Sequence, residues 1–123
     1  MPTFTELRVW REAYNLSLSV FRATEAFPKS QLYCLTSQMQ RAAISVGANI
    51  AEGQKRHTRK DFSNFLSMAE GSLAEVQHYL MLSHDLEFLN DSSYEALMSQ
   101  SEQVEKMLFA LQRSLLAQSP RPR

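Results

Sequence analysis

Residues 38–53, QMQRAAISVGANIAEG, carry apolar and small side chains at steps of three and four positions. That spacing is the period of an α-helix, so the stretch predicts a helix with one packed face. Alanine and glycine recur on this face and allow a neighbouring backbone to approach closely. Arg41, Asn49 and Glu52 place polar groups on or beside it. We therefore expect this helix to be central to the fold.

The composition is that of an ordinary globular domain. Apolar residues make up 44% and charged residues 21% of the 123 residues, which argues against wholesale disorder. Thirteen basic residues balance thirteen acidic ones, which argues against a surface built throughout to bind nucleic acid or anionic lipid. No apolar run could span a membrane and no signal peptide is recognisable, so we expect a cytoplasmic protein with no membrane partner. Cys34 is the only cysteine, which excludes an internal disulfide.

Three further helical patterns accompany the central one. The first covers about residues 6–26, the third begins after Thr58, and the last follows the turn residues 90–93. Thr5 and Ser30 are predicted helix caps, and Gly53 is a predicted helix stop. The predicted core line of the first helix is Leu7, Trp10, Tyr14, Ser17, Phe21 and Thr24, and Ala13 and Val20 widen it. The predicted core line of the third helix is Phe62, Leu66, Ala69, Leu73, Val76, Leu80 and Ser83. The predicted core line of the fourth helix is Tyr94, Leu97, Ser101, Val104, Leu108, Leu111 and Leu115.

The connections between these helices are short, and short connections make consecutive helices run antiparallel. No stretch has the alternating pattern of a strand. The sequence therefore predicts an all-α fold, an up-down-up-down antiparallel four-helix bundle. Residues 1–118 are expected to form this single domain, and residues 119–123 are expected to be a flexible C-terminal tail.

Apolar residues lie outside the predicted core lines. Val9, Leu16 and Leu18 fall off the main stripe of the first helix, and a second line accompanies the third helix. Exposed apolar sets of this kind mark subunit interfaces, so we expect a homo-oligomer. Small Cys34 beside an apolar stripe is expected to be buried.

Five motifs along the chain occur together in one known family. They are Phe4-x-x-Leu7-x-Val9-Trp10; Phe27-Pro28; Tyr33-Cys34-Leu35; Gln38-x-x-Arg41-Ala42-Ala43-x-Ser45-x-x-x-Asn49-Ile50-Ala51-Glu52-Gly53; and Phe62-x-x-Phe65-Leu66-x-x-Ala69-x-Gly71-Ser72-x-x-Glu75. The chain therefore resembles the four-helix-bundle proteins encoded within 23S ribosomal RNA intervening sequences. This resemblance implies a small bacterial bundle that assembles as a homopentamer and has no established biochemical activity.

A related branch of that family is the accessory variability determinant of diversity-generating retroelements. The resemblance implies for that branch a basic protein that partners a reverse transcriptase and nucleic acid. This chain is neutral, and it has Cys34, Gln40 and Gly47 where family members commonly have glycine, arginine and proline. The resemblance thus implies the bundle and the ring more directly than it implies nucleic-acid binding.

A basic cluster lies between the second and third helices. Lys55, Arg56, Arg59 and Lys60, together with His57, precede the first acidic residue of the third helix. Such a cluster could bind the phosphates of a nucleic acid, and a ring would repeat it around one rim. The alternative is a solvated turn whose charges offset the dipole of the second helix. The cluster itself contains no aromatic residue, so base stacking is not predicted.

Polar residues of the second helix are expected to serve structural roles. Antiparallel packing places Arg41 opposite Glu75, and an ion pair there would fix the helix register. Asn49 is predicted to bond across to the third helix, and Glu52 to pair with Arg56 four positions later. A pore-lining or phosphate-binding role is the alternative for Arg41, and a catalytic role is the alternative for the carboxylates.

No set of residues indicates an enzyme. Glu75 and His78 have the Glu-x-x-His spacing of di-iron bundles, but the second motif and the further inward-facing glutamates that such sites require are missing. We therefore expect no metal, no cofactor and no catalytic residue. The leading hypothesis is a non-enzymatic scaffold or adaptor for RNA or for a nucleic-acid-handling protein. The rival is an interaction module that holds a partner helix near Tyr79, Leu82 and Leu86.

Overall fold

The computed structural model describes residues 3–117, which contain four α-helices and no strand. The helices are α1 (Arg8–Thr24), α2 (Ser37–Gln54), α3 (Arg59–Asp85) and α4 (Asp91–Ala117). The predicted all-α four-helix fold is confirmed. The expected tail at residues 119–123 lies outside the described part of the chain. Within that part, no helix is both long and apolar enough to cross a membrane.

Three short helical segments precede α1 and α2. A 3₁₀ turn at Phe4–Glu6 leads into α1, and a 3₁₀ turn at Lys29–Gln31 is followed by a π-helical segment at Leu32–Thr36. Tyr33 departs from helical dihedral angles within that segment, with φ −97° and ψ 17°. The chain therefore kinks at this segment before it enters α2.

Hydrogen bonds that cross between α1 and α2 show that these helices run antiparallel. The Ser17 hydroxyl donates to the Ala43 carbonyl over 2.9 Å. Farther along α1, the Thr24 hydroxyl accepts from Gln40 Nε2 over 2.9 Å. As the residue number rises on α1 it therefore falls on α2.

The same reversal relates α2 to α3. The Ser72 hydroxyl donates to Ser45 Oγ over 2.9 Å, and Gly53 at the end of α2 lies against Phe65 near the start of α3. A short connection then returns the chain as α4, which packs on both α3 and α1. Ser63 and Gln77 of α3 bond to Gln112 and Ser101 of α4, so these two helices also run antiparallel.

The core agrees closely with the prediction for α3 and α4. From Leu66 to Ser83, every predicted core position of α3 is buried, and the central positions of α4 from Leu97 to Leu108 are buried as well. The predicted positions at the helix ends are half-buried: Phe62, Tyr94, Leu111 and Leu115. Each of these helices has one dominant apolar line, and that line faces the other helices.

The prediction for α1 was partly wrong. Thr24 of the predicted line, and Ala13 and Val20 that were expected to widen it, are buried, but the aromatic residues of that line are not. Val9 and Leu16, which were expected outside the main stripe, are core residues that are 6% and 0% exposed. Tyr14 and Phe21, which were expected in the core, are 44% and 39% exposed, and Trp10 is half-buried. The two lines share helical spacing, and the line with smaller side chains packs inward because small and branched groups allow close helix contact.

Both predicted caps were wrong. Leu7 takes the cap position of α1, and the Thr5 hydroxyl bonds to the Thr3 hydroxyl. Ser30 lies inside a 3₁₀ turn and does not begin α2. At the start of α3 the structure adds a cap that was not predicted from the sequence, because Thr58 Oγ1 accepts from the Asp61 amide over 3.0 Å.

Gly53 and Cys34 also differ from expectation. α2 continues through Gly53 to Gln54, and Gly53 does not adopt the positive φ of a glycine helix stop. Its role is close packing, since a side chain there would meet α3. Cys34 is exposed, because it lies in the π-helical segment and outside the regular apolar stripe of α2.

Candidate nucleic-acid interface

The basic turn, residues 55–60, connects α2 to α3 at one end of the bundle. All six of its residues are exposed. The Lys55 and Arg56 amides donate to carbonyls of the last turn of α2, and the Thr58 cap begins α3 at once. The positive side chains are therefore attached to a short, hydrogen-bonded connection and not to a long loop.

Gly53 allows the start of α3 to pack against the end of α2. A Cβ atom at this position would lie 2.7 Å from the Cβ of Phe65 and 3.0 Å from Cδ1 of Phe62. The first of these distances is far below a van der Waals contact, so no side chain fits without movement of a helix. This close approach places Phe65 directly beneath the basic turn.

Arg56 is held on two sides. Its guanidinium forms an ion pair of 2.8 Å with Oε2 of Glu52, which confirms the predicted pairing of these residues. The same guanidinium lies over the ring of Phe65, with 4.6 Å between Cζ and the ring centre. A cation over an aromatic face is attracted by the ring quadrupole. Arg56 is therefore anchored, and its charge is partly offset by Glu52.

Lys55, Arg59 and Lys60 differ from Arg56 in having no such partners. They are exposed, and across residues 3–117 none of the three is in an ion pair. The Asp61 carboxylate in the first turn of α3 lies where the helix dipole favours a negative charge. Three cations of the basic turn thus remain available to a phosphate group.

Arg41 and Glu75 do not form the predicted ion pair. Both side chains are exposed, and the ion pairs found between residues 3 and 117 do not include either of them. The neighbouring Ala42 and Ala43 occupy the buried positions, so Arg41 lies on the outer surface of α2. The prediction placed the two residues at the same level along the antiparallel helices α2 and α3. It did not account for the direction in which the Arg41 side chain points.

Asn49 reaches α3 only through another residue. Its Nδ2 donates to the carbonyl and to the hydroxyl oxygen of Ser45, over 2.9 and 3.0 Å. Ser45 Oγ in turn accepts from Ser72 of α3. The predicted direct bond from Asn49 to α3 was therefore wrong, and a serine pair makes the crossing. Asparagine is long enough to reach back one helical turn, where it satisfies its amide locally.

The groove between α3 and α4 contains a glutamate, Glu70, whose pKa is raised. The groove is lined by the polar residues Glu70, Gln77 and Glu105 and by the apolar residues Leu73, Ala74 and Phe109. Burial raises the pKa of Glu70 above its usual value of 4.5, and the nearby Glu105 carboxylate raises it further. Gln77 donates to Glu105 and to Ser101 of α4, so these polar groups link the two helices.

The described residues contain no group of three histidine, cysteine, aspartate or glutamate side chains that could hold a metal ion. His78 of the Glu-x-x-His motif is exposed, and its ring lies edge-on to Tyr79. His84 Nε2 lies 2.6 Å from Asp91 at the turn between α3 and α4. The histidines therefore interact with neighbouring side chains of the bundle.

The position of the Phe65 ring against the basic turn was not predicted from the sequence. Phe65 belongs to the second turn of α3 and is brought under Arg56 by the packing of two helices. Gly53 provided a signal, because a glycine inside a helix indicates a site of close backbone approach. That signal was interpreted as a helix stop.

Comparison with known proteins identifies the family. The family model described as 23S rRNA-intervening sequence protein matches residues 5–110. A similar solved structure is a protein of unknown function from the S23 ribosomal protein family of Bacteroides thetaiotaomicron, with a TM-score of 0.80, 24% identity, and coverage of 85% of this chain and 95% of that chain. No curated protein matches. The structural likeness shows the shared fold, and the match to the family model shows that this chain belongs to the 23S rRNA-intervening sequence proteins.

Proposed function

We propose that this protein is a non-enzymatic, cytoplasmic, homo-oligomeric adaptor that binds RNA through its basic turn. The observation that carries the proposal is the set of three exposed cations, Lys55, Arg59 and Lys60, which have no ion pair within the described chain. Phosphate contacts from such side chains supply most of the sequence-independent affinity for nucleic acid. A local cluster of this kind fits a chain with no net charge.

Self-association is supported by apolar side chains that remain exposed on the single chain. Tyr14, Leu18 and Phe21 lie on the side of α1 beside α2, and Ile44 extends this surface onto α2, with exposed fractions between 37% and 50%. A second surface on α3 includes Leu82 and Leu86. Two different apolar surfaces on one chain suit a head-to-tail contact, and head-to-tail contacts form a ring when the rotation between successive subunits closes. We therefore propose the homopentamer that the resemblance implies.

A ring would strengthen the proposed RNA contact. Each subunit contributes one basic turn at the same end of its bundle, so a ring repeats the cluster around one rim. The combined positive potential raises the local concentration of a polyanion, and several contacts on one strand add avidity. The weak field of a neutral single chain would then be focused at one edge of the assembly.

The salt dependence of RNA binding tests this proposal. A fluorescent single-stranded RNA would be titrated into the protein at several salt concentrations, and the slope of log affinity against log salt would be measured. Substitution of alanine for Lys55, Arg59 and Lys60 together should reduce that slope by about 2, since each phosphate contact with a single strand contributes roughly 0.7. The intact protein must show the steeper slope.

A control variant with alanine at Arg22, Lys29 and Lys106 removes the same charge from three exposed positions outside the basic turn. It should bind RNA with nearly the affinity of the unaltered protein. Negligible binding by the unaltered protein at both low and high salt would overturn the proposal. Equal losses in the two triple variants would overturn the assignment to the basic turn.

A partner helix is the second candidate, and the outer surface of α3 favours it. Leu82 and Leu86 are 40% and 49% exposed, and Tyr79 is half-buried beside them. An amphipathic helix could bury these side chains. If this candidate is correct, the material that copurifies with the protein is itself protein and resists nuclease. Substitution of serine for Leu82 and Leu86 should remove this bound protein. The triple alanine variant of the basic turn should still bind it.

A further inference from the structure

Arg56 differs from the other cations of the basic turn because two neighbouring side chains hold its guanidinium. Glu52 forms an ion pair of 2.8 Å with it, and its Cζ lies over the ring of Phe65, 4.6 Å from the ring centre. The side chain nevertheless remains 41% exposed. The guanidinium therefore packs on the protein, while the arginine keeps substantial surface toward solvent.

A fixed guanidinium plane is a surface on which a nucleic-acid base can stack. Unpaired bases stack on arginine planes as well as on aromatic rings, whereas bases within a duplex have their faces covered by neighbours. An arginine already held in place loses little conformational freedom when a base stacks on it. The arrangement thus favours an unpaired base over a base pair.

The flanking cations are positioned to hold the backbone of the same strand. Lys55 precedes Arg56 directly, and Arg59 and Lys60 follow on the first turn of α3. All three are exposed, and among residues 3–117 they have no ion pair that a phosphate would have to displace. A base on Arg56 would therefore have its neighbouring phosphates within a cluster of positive side chains.

We propose that the basic turn binds single-stranded RNA, with one unpaired base stacked on the guanidinium of Arg56 and the adjacent phosphates bound by Lys55, Arg59 and Lys60. This inference rests on the proposed function and specifies its ligand. Phe65 acts as a positioning residue, since it supports the plane without touching the RNA. Glu52 has the same role from the edge of the plane.

The substitution Arg56→Lys tests the stacking step because it keeps the charge and removes the plane. Three probes of equal length are needed: a single-stranded RNA, the same backbone without bases, and a duplex. The unaltered protein should bind the single strand about tenfold more tightly than either other probe, in line with the contribution of one stacked base. Arg56→Lys should lose that preference and leave the salt slope unchanged.

The substitution Phe65→Leu is a second test that does not alter any charge. It removes the supporting ring and keeps an apolar side chain beneath the turn, so it should also reduce the preference for the single strand. Circular dichroism and thermal melting of each variant verify folding. The double variant with Phe65→Leu and Arg56→Lys should lose little more of the preference for the single strand than either single variant, because both changes remove the same stacking interaction.

The outcomes separate the two proposals. Undiminished binding of the single strand by folded Arg56→Lys and Phe65→Leu variants would overturn the stacking inference and leave the RNA-binding function intact. Equal or tighter binding of the duplex by the unaltered protein would also overturn it. Absence of salt-dependent binding to all three probes would remove the proposed function itself.

Discussion

Gly53 determines how closely α2 and α3 approach at the basic turn. The space that its side chain would occupy is taken by the Cβ of Phe65, which is attached directly to the backbone of α3 and cannot rotate away. Gly47, one and a half turns earlier, is different. A Cβ there would meet Trp10 and Ala13 at 3.7 and 3.8 Å, which are ordinary contact distances. Two glycines of one helix thus have opposite packing environments.

The substitution Gly53→Ala should destabilise the protein by about 1–3 kcal/mol, because an added methyl group in an occupied space forces the helices apart. Gly47→Ala is the matched control and should stabilise it by about 0.5–1 kcal/mol, since alanine has the higher helix propensity and its methyl group would meet its neighbours at ordinary contact distances. Urea unfolding at one fixed protein concentration measures both. An unchanged or increased stability for Gly53→Ala would show that the close approach is not required.

Glu70, in the groove between α3 and α4, is a carboxyl group whose ionised form is disfavoured in the folded protein. Burial and the Glu105 carboxylate raise the pKa of Glu70 above 4.5. A raised pKa means that the folded state holds this proton more tightly than the unfolded state does. Ionised Glu70 therefore lowers stability above its folded pKa, and this loss disappears as the pH falls below 4.5, where the group is protonated in both states.

The substitution Glu70→Gln should accordingly raise the melting temperature at pH 7, and the gain should shrink as the pH is lowered toward 4. Glu75→Gln is the control, because Glu75 is an exposed glutamate on the same helix. Thermal melts across this pH range provide the measurement. A gain for Glu70→Gln that is the same at every pH, or that also appears in Glu75→Gln, would contradict the account.

The helices differ in how far the sequence predicted them. α4 has one apolar line, and the second line of α3 is interrupted by the polar residues Ser72 and Glu75, so the pattern identified the buried faces of both helices. α1 has two lines of helical spacing, one aromatic and one aliphatic, and spacing does not determine which of them faces inward. The π-helical segment before α2 had no residue signal, because its geometry depends on how the chain joins two packed helices. The choice between competing lines required the positions of the neighbouring helices.

In the molecule as a whole, the charge run predicted the position of the candidate site but not its organisation. Five basic side chains between two helical patterns identified the turn, and the Glu52–Arg56 pair followed from helical spacing. Phe65 was not predicted to lie there, because its contact with Arg56 depends on the close approach at Gly53. The Arg41–Glu75 pair failed because matching heights on two helices do not fix the direction of a side chain.

The exposed aromatic and aliphatic side chains of α1 and α2 give the proposed assembly its physical basis. Tyr14, Phe21 and Ile44 would each transfer apolar surface out of water in a subunit contact, and such burial is the main driving force for association. Serine at Tyr14 and Phe21 should shift the assembly toward single chains. The core of the bundle should remain intact, since both side chains lie outside it.

The mass of the native particle tests the central claim most directly, because the repeated basic turns depend on assembly. Sedimentation equilibrium at micromolar concentration should give about 70 kDa, the mass of a homopentamer of the 14.1 kDa chain. The variant with serine at Tyr14 and Phe21 should move toward 14.1 kDa under the same conditions. A particle of 14.1 kDa from the unaltered protein would contradict the proposed ring.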